Sequence, residues 1–278
     1  DGIRDVERSR GLGDVYKRQQ MNKVLNTVES TSNLESTEQK LRVELACAYR
    51  LVDYFGWCEL IYAHLTARVP GPDAHFLINP YGLNYDEVTA SNLVKIDING
   101  HVVEHSDHPI NEAGFIIHSA VHMLENTSNH VVMHTHSRAG MAVAALKDGL
   151  LPISMGATIF YDDIAYHDYE GPSLYLDERS RLQASLGNKK ALILRNHGLM
   201  TVGETVPEAF LRLYRLESAC RTQLDASAAG EVNLLDHDTA SKSGHDVNRF
   251  MESTDNYGQL EFNALMRKID KLDDSYRC

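Results

Sequence analysis

The chain has 278 residues, of which 43% are hydrophobic and 24% charged, so we expect a packed globular core and not a disordered chain. A formal net charge of −12 argues against a generic nucleic-acid or anionic-membrane surface. The four cysteines form no Cys-x-x-Cys pair, and no apolar run approaches the roughly 18 residues of a membrane span. Composition therefore predicts a reduced, cytoplasmic protein with no membrane span and no nucleic-acid partner.

The amino-terminal twenty residues have neither helical nor strand periodicity, and they resemble translated sequencing-adapter text. We interpret residues 1–20 as a non-native or disordered tail and expect the native chain to start at Met21. Residues 21–37 are polar and rich in Ser, Thr and Asn, which predicts a flexible segment. We expect one domain over 38–228, followed by a C-terminal extension over 229–278.

Helix and strand patterns alternate within the expected domain. Helical spacing of apolar residues predicts helices over 38–55, 112–124, 137–146, 207–226 and 257–272. Short β-rich or apolar runs predict strands over 76–79, 93–98, 130–136, 191–194 and 199–202. Asn99-Gly100 is a strong hairpin turn, so 94–98 and 101–104 are expected to pair antiparallel. The predicted fold class is α/β, a single three-layer αβα domain with a central mixed or antiparallel sheet.

Three of the 14 histidines are placed as metal ligands would be. His134 and His136 are two apart on a predicted strand, so both imidazoles project from one face and can reach one ion. His197 lies in an Asn-His-Gly turn after a buried strand, where Gly198 is expected to supply a positive φ. Three neutral imidazoles leave a coordination position open for Lewis-acid catalysis. Alternatively, the first pair are ordinary surface or hydrogen-bonded histidines and the second motif is only a turn.

Other titratable residues are alternative candidates for metal ligands or site residues. His118 and His122 are four apart on one predicted helix face, and we interpret them as packing residues or supports of the site. His105 and His108 lie in the loop before that helix. Glu112 opens the helix, where the helix dipole alone would favour a carboxylate.

Four motifs, in chain order, resemble the class II aldolase/adducin family. They are INEAGF at 110–115, HTHSRAG at 134–140, AYHDYEG at 165–171 and ILRNHGL at 193–199. The resemblance covers roughly 38–228 and is especially close to the adducin-head branch. It implies an αβα domain that assembles as a ring-shaped homotetramer with active sites at subunit interfaces.

The resemblance also implies roles for individual residues. His134, His136 and His197 match the histidines that bind zinc in such aldolases, and Mn²⁺, Co²⁺ or Fe²⁺ remain open as the ion. Glu112 matches the general acid/base. Animal adducins carry Gln at that position, so a glutamate indicates an active centre. The implied reaction is metal-assisted C–C cleavage or condensation of a small carbonyl substrate through an enediolate.

Candidate substrate-binding residues are Asn79, Gly82, Asn111, Tyr166 and Arg138. The stretches matching the aldolases' phosphate-binding loops, at 60–66, 79–82 and 110–111, have lost hydroxyl donors. A carboxylate or another small carbonyl compound, held by Arg138 or Arg195, is therefore at least as well supported as a sugar phosphate. His167 and Tyr169 are further pocket candidates, with core packing as the alternative for them and for Tyr166. Tyr257 and Tyr276 are candidates for a proton-donating tyrosine from a neighbouring subunit.

Our leading functional hypothesis is a metal-dependent lyase of the aldolase type, with epimerase, dehydratase and decarboxylase as open subtypes. A non-haem Fe(II) oxygenase could use two of the histidines with Glu112. A non-catalytic, adducin-like protein that binds actin or the cytoskeleton is the alternative outside enzymology. Glu112 and the mixed charges at the end of the chain, in place of a long basic tail, argue against it.

Overall fold

A computed structural model describes residues 35–124, 127–173, 175–252 and 256–278. The predicted tail and the segment 21–34 lie outside these residues. The first described helix, α1, spans 35–54 and so begins three residues before the expected start of order at residue 38.

The described elements are those of an α/β protein. The strands are β1 His64–Arg68, β2 Phe76–Ile78, β3 Val94–Ile96, β4 Val131–Thr135, β5 Ile164–His167, β6 Ala191–Leu194 and β7 Gly198–Gly203. After α1, the helices are α2 Glu112–His122, α3 Arg138–Ala144, α4 Met155–Thr158, α5 Glu178–Leu186, α6 Val206–Ala229, α7 His237–Glu252 and α8 Gln259–Asp270. Short 3₁₀ turns lie at Tyr85–Glu87 and Ser275–Arg277.

The seven strands form one sheet in the order β3-β2-β1-β4-β7-β6-β5. All neighbouring pairs are antiparallel except β5 and β6, which are parallel. The sheet is therefore mixed, as predicted. Its centre is the β1-β4-β7 group, and the candidate ligand His134 lies on the middle strand of these three.

Successive side chains of β4 separate the two faces of the sheet, because strand residues alternate in direction. Val131 and Met133 pack in the larger core, which contains α1, α3, α6 and α8. Val132 packs in a second core with apolar residues of α2 and α5. Helices thus cover both faces, which confirms the predicted three-layer αβα architecture.

Two expectations about local structure need correction. The predicted hairpin after β3 is only a single antiparallel bridge, between Ile96 and Val102, and 101–104 form no strand. Val102 and Val103 remain exposed there, so this side of the turn lacks the packing that would stabilise a second strand. The predicted strand 130–136 ends at Thr135, so His136 lies one residue beyond it.

The C-terminal extension packs against the rest of the chain. Phe262, Ile269 and Tyr276 are buried members of the larger core. Arg50 on α1 forms a 2.7 Å ion pair with Asp273. Helix α7, which the sequence patterns did not predict, packs on α4 through a hydrogen bond of 2.8 Å between the hydroxyls of Ser243 and Thr158.

Candidate metal centre

The antiparallel pairing of the adjacent strands β4 and β7 brings the three predicted histidines together. His134 is the fourth residue of β4 and pairs with Met200 of β7 in the antiparallel register. His136 follows the end of β4, and His197 lies in the turn between β6 and β7. Because β7 connects directly to that turn, its pairing with β4 fixes the three side chains at one end of the sheet.

The three imidazoles meet through their Nε2 atoms. His136 Nε2 lies 2.9 Å from His134 Nε2 and 2.9 Å from His197 Nε2. One potential ligand atom from each of the three histidines lies within 4.8 Å of those of the other two. Among the His, Cys, Asp and Glu side chains in the described part of the chain, these three form the group that could hold a metal ion. His134 is fully buried, whereas His136 and His197 are half-buried, so the group opens to one side.

The Nδ1 atoms of two of these rings face hydrogen-bond acceptors. His134 Nδ1–H donates to the carbonyl oxygen of Leu199 at 2.9 Å. His136 Nδ1–H donates to a carboxylate oxygen of Glu59 at 2.7 Å. A neutral imidazole with its proton on Nδ1 carries a lone pair on Nε2. Lone pairs that converge at such distances repel one another unless a positive charge lies between them, so the donor set fits a bound cation.

Burial keeps His134 and His197 neutral. It lowers the pKa of His197 to about 4 and that of His134 well below the ordinary histidine value, and the neighbouring histidines add to both shifts. A metal ligand must be the unprotonated imidazole. At neutral pH the two side chains are therefore already in the form that binds a metal ion.

The turn that carries His197 differs from its prediction in one respect. The positive φ lies at Asn196, at 56°, and not at Gly198. Gly198 is needed for a different reason, which is space. A Cβ there would lie 2.5 Å from the backbone oxygen of Thr135 and 3.3 Å from carbon atoms of both His134 and His136.

A second set of buried histidines lies behind the first. His64 on β1 is paired with His134 across the sheet, and their rings stack with centroids 5.7 Å apart. His118 Nδ1 and His122 Nε2 both bond the hydroxyl of Thr66, at 2.6 and 2.8 Å. The helical pair therefore joins α2 to β1, in agreement with its interpretation as packing or support.

Glu112, the predicted acid/base, is the first residue of α2 and is exposed. Its carboxylate does not belong to the histidine group. The first turn of α2 nevertheless lies close to that group, because a Cβ on Gly114 would lie 2.6 Å from Cγ of His64, whose ring stacks on His134. The structure thus places Glu112 two residues before Gly114, whose backbone lies against the ring of His64.

The candidate substrate-binding residues differ in their burial and in their hydrogen bonds. Asn79 is buried and accepts a 3.0 Å hydrogen bond from the Tyr49 hydroxyl, so it is occupied inside the core. Gly82 has open space around its Cα, with a φ of 108°. Asn111 precedes α2 and accepts a hydrogen bond from the backbone of Phe115. Arg138 is exposed at the start of α3, two residues after His136.

Tyr166 and Arg195 are committed to packing with each other. The Arg195 guanidinium lies 4.6 Å from the centroid of the Tyr166 ring and donates to the backbone oxygens of Leu146 and Lys147. The Tyr166 hydroxyl accepts from the backbone N–H of Leu150 at 3.1 Å. These contacts favour core packing over a pocket role for Tyr166, and they leave Arg138 better placed than Arg195 to hold an anion.

His167 and Tyr169 line a small cleft together with His197. Tyr169 is half exposed, and its ring centroid lies 6.5 Å from that of His197. His167 is buried, and its Nδ1 bonds the Ser185 hydroxyl at 2.9 Å. Of the two, Tyr169 is therefore the one with solvent access beside the histidine group.

The two candidate proton-donating tyrosines differ in accessibility. Tyr276 is fully buried and donates a 2.7 Å hydrogen bond to Asp270, while burial raises the pKa of its hydroxyl. Tyr257 is half-buried, and its hydroxyl accepts from Arg215 at 3.3 Å. Tyr276 is thus unavailable within its own chain, and Tyr257 is the better candidate of the two.

The segment after His136 is clamped by a buried carboxyl group. Ser137 caps α3 by accepting a hydrogen bond from the backbone N–H of Gly140, and its hydroxyl donates to Glu217 on α6. Glu217 is buried, and burial raises the pKa of its carboxyl group. This clamp joins the end of β4 to the longest described helix. Neither Glu217 nor Glu59 was among the predicted site residues.

Comparison with known proteins gives the family. The model of the class II aldolase and adducin N-terminal domain matches residues 43–224, well over half of the chain. The chain belongs to the class II aldolase and adducin family. No helix within the described part of the chain has the length and apolar character needed to cross a membrane.

Relatives of this family member are named as aldolases and as adducins. A Caulobacter vibrioides protein, provisionally named an aldolase class 2 protein, is 44% identical over 91% of this chain and 97% of its own length. Mouse alpha-adducin is 45% identical over 84% of this chain, which spans 34% of that longer protein. The solved L-fuculose 1-phosphate aldolase of Glaciozyma antarctica is 30% identical, with a TM-score of 0.77 over 88% of this chain and 94% of its own.

Proposed function

We propose that this protein is a metal-dependent lyase of the aldolase type, with His134, His136 and His197 as the ligands of a divalent ion. The observation that carries the proposal is the convergence of three imidazole Nε2 atoms, with His136 Nε2 lying 2.9 Å from each of the other two. The similarity to a fuculose-phosphate aldolase supports a lyase reaction, although the substrate of this chain need not be the same.

The donor set suits zinc, manganese, cobalt or iron, since imidazole nitrogens bind all of them, and we favour zinc. When bound, the ion supplies Lewis-acid stabilisation of negative charge on a substrate oxygen. We further propose the family's homotetrameric assembly and a cytoplasmic location. Both come from the resemblance and from composition, and not from contacts within this chain.

The chain's own residues would bind the substrate and move the proton. Glu112 lies at the exposed N-terminus of α2, where its carboxylate can receive a proton from a substrate carbon and return it. Arg138 has a positively charged guanidinium and lies two residues after His136, so it is our candidate for binding a substrate carboxylate. We propose Asn111 and Gly82 as further substrate-binding residues, and Tyr169, whose ring centroid lies 6.5 Å from that of His197, as a residue beside the bound substrate.

The proposal is tested by comparing wild type with Glu112→Gln on a panel of small hydroxy-carbonyl and hydroxy-acid substrates after metal loading. The amide has nearly the same shape but cannot accept the proton. We expect the variant to keep its metal and to lose about 10²- to 10⁴-fold in kcat, the usual contribution of a general base. Glu231→Ala, an exposed glutamate of the C-terminal extension, serves as the charge control.

Two results would contradict the proposal. The first is turnover that is equal in wild type and Glu112→Gln. The second is a metal-loaded wild-type protein that cleaves none of the panel in either direction while remaining folded. The subtypes of lyase are separated by product analysis, because aldol cleavage yields two carbonyl compounds whereas dehydration and decarboxylation yield one organic product.

A non-catalytic role remains as the second candidate, because mouse alpha-adducin is as similar to this chain as the bacterial relative is. Co-sedimentation with filamentous actin tests it, and saturable binding by the metal-free protein would favour it over the lyase. The oxygenase alternative requires a carboxylate beside two of the histidines. In the described residues no Asp or Glu joins the three-histidine group, so nothing in the geometry favours this alternative.

A further inference from the structure

We infer that Glu59 is a positioning residue for the metal centre: its carboxylate fixes the tautomer and ring orientation of His136. The inference rests on the proposed function, because it concerns how the chain prepares one of the three proposed ligands. The contact that carries it is the 2.7 Å hydrogen bond between His136 Nδ1 and the Glu59 carboxylate, across 77 residues of sequence.

The three candidate ligands are not held equally. His134 is on a strand, is fully buried, and has a backbone carbonyl as its Nδ1 acceptor. His136 lies beyond the end of that strand and is half-buried, so neither sheet pairing nor packing fixes its ring to the same degree. A carboxylate on Nδ1 supplies the missing constraint, since it accepts only from the tautomer whose Nε2 carries the lone pair.

The backbone around Glu59 is built to hold that carboxylate in place. Residues 59–62 form a tight turn in which the Tyr62 N–H donates to the Glu59 carbonyl at 3.0 Å, and the same two residues form an isolated β-bridge. Leu60 and Ala63 have positive φ values of 51° and 75°, which are unfavourable for residues with a Cβ. Backbone strain of this kind persists where the surrounding structure enforces it, and it is frequent at functional sites.

The turn is also anchored at its far side. The buried Tyr85 donates from its hydroxyl to the backbone oxygen of Tyr62 at 3.1 Å. Ala63 is buried and leads directly into β1, whose first residue His64 stacks on His134. One segment thus presents a carboxylate to His136 and an aromatic ring to His134, so the same stretch of chain supports two of the three candidate ligands.

The negative charge of the Glu59 carboxylate acts on the metal centre in addition to its orienting effect on His136. A carboxylate on Nδ1 makes the imidazole a stronger electron donor at Nε2, and it places a negative charge close to a cation held by three neutral ligands. Glu59→Gln keeps a hydrogen-bond acceptor and removes the charge, whereas Glu59→Ala removes both. The two variants therefore separate the orienting effect from the electrostatic one.

The test measures zinc affinity by competition with a chromophoric chelator, together with ring ¹⁵N NMR of the metal-free protein. We expect Glu59→Ala to bind zinc about 10- to 100-fold more weakly than wild type, with Glu59→Gln between the two. The NMR spectrum should show His136 protonated at Nδ1 in wild type and a mixture of tautomers in Glu59→Ala. Glu231→Ala is the matched control and should match wild type in both measurements.

Failure of the inference is distinguishable from failure of the proposed function. If wild type and Glu59→Ala bind zinc equally tightly, with equal His136 tautomers, the positioning role is wrong and the metal centre stands. If folded wild-type protein binds no zinc, manganese, cobalt or iron ion, both are wrong. A thermal unfolding midpoint that is unchanged in Glu59→Ala would show that weaker binding does not come from general loss of structure.

Discussion

At the scale of single residues, the close approach of Gly198 to the histidine group is the most specific feature of the site. Its backbone passes so near Thr135 that even one added carbon overlaps the carbonyl oxygen and crowds two histidine rings. Glycine is required there by space, although the φ at this position is open to other residues.

We therefore predict that Gly198→Ala destabilises the fold by about 1–3 kcal/mol, the usual range for overpacking, and weakens zinc binding. Urea unfolding and chelator competition measure the two effects. Gly156→Ala is the matched control, because the nearest atom to its added Cβ is 3.8 Å away in a helix that alanine favours. A Gly198→Ala protein with unchanged stability and affinity would show that the turn can move without disturbing the ligands.

At the scale of elements, the 3₁₀ turn at the C-terminus closes the larger core. Tyr276 is fully buried in that core and bonded to Asp270, while the backbone oxygens of Tyr276 and Cys278 accept from Ala90 and Ser91. The last residues are thus bonded to the segment before β3 as well as to α8.

We predict that Tyr276→Ala costs about 3–5 kcal/mol of unfolding free energy, as expected for a buried aromatic residue. Tyr276→Phe should cost about 1 kcal/mol, because it loses only the hydrogen bond to Asp270. Tyr175→Ala, at a tyrosine that is 72% exposed, should change stability by less than about 0.5 kcal/mol. Equal losses for the two alanine variants in urea unfolding would rule out a structural role for the C-terminal turn.

The elements also show what sequence patterns can and cannot predict. Apolar periodicity predicted α1, α2, α6 and α8 because each has an apolar face. It missed α7, whose contacts with the body run through hydroxyl and amide groups and a few apolar residues. Strand β1 was not predicted, although its sequence alternates polar and apolar residues as a strand does, with His64 and Thr66 on one side and Leu65 and Ala67 on the other. The sequence does not show that the polar side is buried as well.

The candidate site likewise contains residues that the sequence predicted and residues that it did not. The three histidines were predicted because the spacing on a strand and the turn before β7 are local features of the sequence. Glu59 was missed because its partner is 77 residues away and its own neighbourhood carries no motif. A positive φ at Leu60 and Ala63 could not be predicted either, because local preference disfavours it and only the surrounding fold enforces it.

At the scale of the whole molecule, the buried histidines make stability depend on pH. Burial, with smaller contributions from nearby Arg68 and His130, lowers the pKa of His122 to about 3. In the unfolded chain a histidine takes up a proton below about pH 6.5. The stability from keeping His122 neutral in the fold is therefore complete above that pH, and it is lost progressively as the pH falls towards the folded value.

Each such histidine contributes a slope of about 1.4 kcal/mol per pH unit below pH 6.5. We predict that the loss of stability between pH 7 and pH 5 is about 2 kcal/mol smaller in His122→Gln than in wild type. His105→Gln, at a side chain that is 89% exposed, should keep the wild-type slope. The measurement is urea unfolding at both pH values, and equal slopes in all three proteins would contradict the buried, neutral state of His122.

The central claim is that His134, His136 and His197 bind one divalent ion. It is tested most directly by the metal content per chain, measured by plasma mass spectrometry on protein purified without a metal-affinity tag, with His136→Ala as the control. We predict about one zinc, manganese or cobalt ion per wild-type chain and none in the variant. Iron in its place would revive the oxygenase alternative. Folded wild-type protein that holds no ion, even after reconstitution, would contradict the account and leave the adducin-like role.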